Sequence, residues 1–130
     1  MSNIIIKKFK TQNFFAEESN PLAAGASEWA YGNGDESQAS FGLTAMLNGC
    51  ITRLGLSVNN GSATVEILVG NGGTTGFVVT ANAASENGSS FIEIPWGQLP
   101  VVKGQEVNFR TLAANGATQG GKVNALLEGY

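Results

Sequence analysis

The chain has 130 residues, the length of one domain with one core. Charged residues make up only 13% and hydrophobic residues 42%, a balance that excludes an intrinsically disordered chain. The formal net charge of −3 argues against a nucleic-acid partner, because phosphate binding needs a basic footprint. Asn, Ser, Thr and Gly stand where charge is missing; they solvate a surface without repelling a neighbouring copy.

The first ten residues carry Lys7, Lys8 and Lys10, so a basic start of +3 precedes a body of −6. The same stretch holds Ile4, Ile5 and Ile6, with Phe14 and Phe15 following. That is more apolar surface than a free tail carries, and no regular turn signal appears before Gly32. Residues 1–27 are therefore predicted as an extended N-terminal arm leading into a domain at 28–130, with a first strand and a long connection as the alternative. Ile4, Ile5, Ile6, Lys7, Lys8, Lys10, Phe14 and Phe15 are its predicted partner-binding residues. A short helical turn is conceivable from Phe14 onward, but Pro21 and Gly25 cut it off.

Asn-Gly pairs begin at Asn33, Asn48, Asn60, Asn71, Asn87 and Asn115. Both residues accept the positive φ of a tight turn, and regular spacing of such turns is the rhythm of an antiparallel sandwich or barrel. The segments between them alternate with period 2, as half-buried strands do. Leu54, Leu56 and Val58 form one apolar row; Ala63, Val65, Ile67 and Val69 form the next. Phe77 to Thr80, Ile92 with Ile94 and Trp96, Val107 with Phe109, and Val123 with Ala125 and Leu127 continue the pattern. Residues 42–47 read as a further strand between two turns. The predicted class is all-β.

The chain has no His, which removes the commonest general base and every Ser-His or Cys-His pair. Cys50 is the single cysteine and reads as a buried thiol. Glu66, Glu93 and Glu106 fall on outward strand positions and read as solvated acids, so no placed carboxylate pair supports glycoside hydrolysis. The loop Gly70 to Gly76 has no Lys after its glycines and leads into a strand, so it is a hairpin loop and not a phosphate cradle. No cofactor, metal site or catalytic residue is expected. The opening Met1-Ser2-Asn3 and three isoleucines do not make a secretory signal, and no run is long enough to span a membrane as a helix. Synthesis in a cytoplasm, without a membrane partner, is expected.

Leu68 and Leu126 lie on the face opposite the main apolar row of their strands. Together with Trp96, Phe109 and Tyr130 they exceed what one thin core hides, and Trp96, Phe109, Leu126 and Tyr130 are predicted at a subunit interface. Trp29, Tyr31, Trp96 and Tyr130 alternatively offer rings on which a sugar stacks.

Two stretches carry a family resemblance: Ala63 to Val69 with the Gly-rich turn after it, and Val102-Lys103-Gly104-Gln105-Glu106-Val107. The second is similar to the Lys-Gly-Asp turn before a late strand in jelly-roll domains of the C1q and tumour-necrosis-factor type and their tailed-phage counterparts. The terminal strand from Gly121 to Leu127 fits as well, and no collagen-like or coiled-coil stalk precedes the domain. The resemblance implies an antiparallel jelly-roll β-sandwich and a three-fold assembly, a homotrimer. It implies a non-enzymatic phage structural protein located in the virion. The leading expectation is a capsid decoration or cement protein, with the major capsid protein as partner. The alternative is a receptor-binding, lectin-like head of a tail or head fibre, with a glycan as ligand.

Overall fold

The computed structural model describes residues 9–18, 30–31, 43–70, 73–84, 87–115 and 120–130. Ten strands follow in order: β1 Lys10–Glu18, β2 Ala30–Tyr31, β3 Leu43–Thr44, β4 Gly49–Val58, β5 Ser62–Val69, β6 Thr74–Asn82, β7 Ser89–Glu93, β8 Pro100–Val101, β9 Glu106–Ala114 and β10 Gly121–Gly129. One sheet runs β2-β1-β10-β4-β7, with β8 pairing the start of β4; the other runs β3-β9-β5-β6. Every pairing is antiparallel. The chain changes sheet on either side of β3, between β4 and β5, between β6 and β7, and on either side of β9. This is a jelly-roll β-sandwich, all-β as the alternation predicts.

The inward rows of the two sheets make the core, with Phe14, Ile51, Leu54, Ile67, Phe109 and Leu127 fully buried. Period 2 places them there, because every second side chain of a half-buried strand faces the opposing sheet. The Cys50 thiol is buried at the edge of this core.

Three readings change. Asn60-Gly61 turns the chain as predicted, with Gly61 at φ 67°, but it joins β4 and β5, which lie in different sheets. Asn-Gly chemistry specifies a tight reversal and leaves open which sheet receives the next strand. Asn48-Gly49 is not a hairpin turn: Gly49 opens β4 opposite Gly129. A Cβ on Gly49 would overlap the carbonyl oxygen of Glu128, and one on Gly129 the carbonyl oxygen of Asn48. Glycine is required here for close approach of two backbones. Gly49→Ala is expected to cost about 3 kcal/mol, since the obstructing atoms are backbone and cannot rotate away; a shifted urea midpoint at unchanged slope checks it. Of the predicted strand 42–47, the described residues 43–47 supply only the two-residue β3, after which Ala45 and Gln105 join the two loops by a backbone hydrogen bond of 2.7 Å.

The largest difference concerns the predicted arm. Its described part, Lys10–Glu18, is a full strand held between β2 and β10, paired with β10 in unbroken register from Lys10↔Gly129 to Glu18↔Gly121.

 Ala16 and Phe14 both point into the core and are fully buried. Phe14 is thus a core residue and is removed from the partner-binding set. The alternative reading, a first strand, holds for Lys10–Glu18; no turn signal precedes the segment to distinguish a strand from an arm.

Candidate docking surface

One end of the sandwich gathers exposed apolar side chains, and the backbone around it explains why. The close Gly49–Gly129 pair lets Asn48 and Tyr130 exchange backbone hydrogen bonds, Asn48 N–H to Tyr130 O at 3.1 Å and Tyr130 N–H to Asn48 O at 2.9 Å. The Tyr130 ring stacks on Phe9, centroids 4.8 Å apart and planes 29° apart. Phe9 also meets Trp96 edge-on, at 5.4 Å and 77°.

Trp96 is positioned by a bulge in β4. The β10 register skips from Arg53 to Ile51, leaving Thr52 as the extra residue. Thr52 O accepts the Ile94 N–H and the Ile51 N–H donates to Leu99 O, both at 2.9 Å, so the turn carrying Trp96 is fixed at both ends. Gly97 within it takes φ 95°, a conformation that favours glycine.

Two neighbouring loops reach the same end. Asn48 Oδ1 accepts the Lys103 N–H at 2.8 Å, and the Gly104 N–H donates to Ala45 O at 2.8 Å. Gln12 on β1 donates to Thr44 O at 3.1 Å and accepts the Met46 N–H at 2.7 Å. These bonds bring Met46 and Val102 to the aromatic end. Phe9 is 59% exposed, Trp96 52% and Tyr130 47%, and Met46 and Val102 are more than half exposed as well. Rings of this size left in water mark a contact surface.

Of the predicted interface residues, Trp96 and Tyr130 belong to this cluster. Leu126 is half-buried on the outward face of β10, beside Arg53. Phe109 is fully buried in the core and is withdrawn as an interface residue. Leu68 is buried within the chain, so it calls for no second subunit. Lys10 is exposed at the start of β1 and Phe15 is half-buried on its outward side. Ile4, Ile5, Ile6, Lys7, Lys8 and Trp29 lie outside the described residues, and the side chain of Tyr31 does too.

Phe9 was missed by the sequence reading, although a signal existed. It shares parity with Thr11, Asn13 and Phe15, so it falls on the face opposite Phe14 once β1 is read as a strand.

Glu66 is also corrected. It is buried, its Oε1 accepts from Arg110 at 2.7 Å, and its Oε2 accepts the N–H groups of Thr75 at 3.2 Å and Gly76 at 2.9 Å. The carboxylate thereby holds the β5–β6 connection. A bulge between Glu66 and Leu68 breaks the simple alternation that placed it in solvent. Glu93 is exposed as predicted, 3.4 Å from Arg53, whose guanidinium lies 4.7 Å from the Phe91 ring centre. Glu106 is exposed. Among the described residues, no three His, Cys, Asp or Glu side chains gather as a metal site.

No protein-family model matches the chain, and no curated protein matches it. Among solved structures it is similar to a chain of the acidic stable capsid structure of Helicobacter pylori bacteriophage KHP30. That similarity has a TM-score of 0.51 at 10% identity and covers 93% of both chains. The globular domain of the zebrafish complement 1qA protein aligns with a TM-score of 0.43 at 11% identity, over 91% of this chain and 96% of that one. The first similarity is one of fold.

Proposed function

We propose that the chain is a non-enzymatic structural protein of a phage virion, a decoration or cement protein bound to the outside of the capsid. The observation that carries this reading is the exposed aromatic end, where Phe9, Trp96 and Tyr130 gather ring against ring, whereas Phe14 and Phe109 are packed in the core. The shared fold with a chain of a phage capsid structure supports it, as does the low charge, which lets the surface sit against a shell with little repulsion. The major capsid protein is the proposed partner. Residues 1–8, with three isoleucines and two lysines, remain the proposed docking arm ahead of Phe9. Binding only to the assembled shell would stabilise it by mass action.

Trp96→Ser is expected to weaken binding to capsids by about 2 kcal/mol, roughly thirtyfold, if the ring is a central anchor. Co-sedimentation with capsids of the parent phage measures it, and removal of residues 1–8 tests the arm in the same assay. Undiminished binding by both variants would reject the docking surface. The same three rings favour one second reading, a receptor-binding head that stacks a sugar. Sedimentation with host cells and not with capsids would select that reading.

A further inference from the structure

We propose that β6 is a pairing edge, and that its occupant is β6 of a second copy, added antiparallel about a two-fold axis at Thr80. The proposal stands on the edge itself and does not depend on the capsid reading.

β6 ends the sheet β3-β9-β5-β6, so among the described residues one side of it has no hydrogen-bonded strand. The Ala83 N–H donates to Gly61 O at 2.8 Å, and the register continues through Ala81↔Ala63 and Val79↔Val65. Backbone groups of odd-numbered residues therefore face β5. Those of Val78, Thr80 and Asn82 face away, as a row of donors and acceptors that fits an extended chain.

Natural edges are blunted by charge, proline or shortness. β7, the edge of the other sheet on this side, has five residues, ends on Glu93 and is followed closely by Pro95. β6 has nine residues, Thr-Thr-Gly-Phe-Val-Val-Thr-Ala-Asn, with no charge and no proline. Its bulge takes up Thr75–Phe77, where Gly76 takes φ 78° and its N–H is held by Glu66, so Val78–Asn82 remains regular.

The sequence of that segment fits itself. With Thr80 on the axis, Thr80 faces Thr80 of the second copy and Val78 faces its Asn82. No like charges meet, and Thr80 is exposed with its hydroxyl held by Thr64 at 2.8 Å. A two-fold contact of this kind closes on itself and does not propagate into a fibre.

The test uses the full chain in two variants at exposed positions: Thr80→Lys sets like charges face to face on the axis, and Val78→Lys sets a charged side chain against Asn82 of the second copy. Far-ultraviolet circular dichroism identifies which variants remain folded. Light scattering is expected to give the wild type an even number of copies and each folded variant half that mass. Amide exchange at Val78 and Thr80 is expected to be at least tenfold faster in the variants. A wild-type monomer or trimer, an unchanged mass in a folded variant, or equally fast exchange in the wild type would overturn the proposal. A trimer would leave the three-fold reading standing, whereas a dimer halved by Thr80→Lys would support β6 pairing and reject the trimer.

Discussion

Phe14→Ala is expected to destabilise the domain by about 3–5 kcal/mol, a large part of the whole stability of a chain this size. The ring is fully buried, on a strand with neighbours on both sides. Truncation leaves a cavity that two hydrogen-bonded sheets cannot collapse to fill. Denaturant unfolding should show a lower midpoint at an unchanged slope. Deleting residues 1–18 should abolish folding altogether, because it exposes the edge of β10 and opens the core. A variant lacking Phe14 that loses less than about 1 kcal/mol would restore the description of this segment as a detachable arm.

Glu66→Ala is expected to cost about 2–4 kcal/mol, since it leaves the Arg110 guanidinium and two backbone N–H groups without their acceptor. Arg110 is about one-third exposed, so water recovers part of the loss, and the cost stays below that of breaking a fully buried pair. Glu66→Gln keeps an acceptor but not the charge and should fall between alanine and wild type. Amides of Thr75 and Gly76 should exchange faster in both variants, ahead of any change at Val65. Equal protection in all three proteins would show that the carboxylate does not hold the loop.

Strand positions were legible in the sequence wherever alternation was unbroken, as from Leu54 to Val58 and from Val123 to Leu127. Alternation fails at bulges. Glu66 and Leu68 were assigned to an open face, and the irregular register beside them buries both. Asn-Gly pairs marked the reversals after β4 and before β7, but the pairing of strands depends on contacts far away in sequence. Asn48-Gly49 shows the same limit, because the partner that demands a glycine is Gly129 at the other end of the chain. The docking end was half legible. Trp96 and Tyr130 stood out as large rings, whereas Phe9 needed β1 to be recognised as a strand, and Phe109 needed the opposing sheet.

The neighbour relation of β1 and β10 also governs how the chain reaches this state. Asn13 and Asn124 come together across 111 residues of sequence. Until β10 has emerged from the ribosome, β1 lacks its long partner and Phe14 has no finished core to enter. Loop closure on this scale makes for slow folding, and the larger sheet must be completed last. Changes in β10 should therefore delay maturation of newly made chains, even where the finished protein tolerates them.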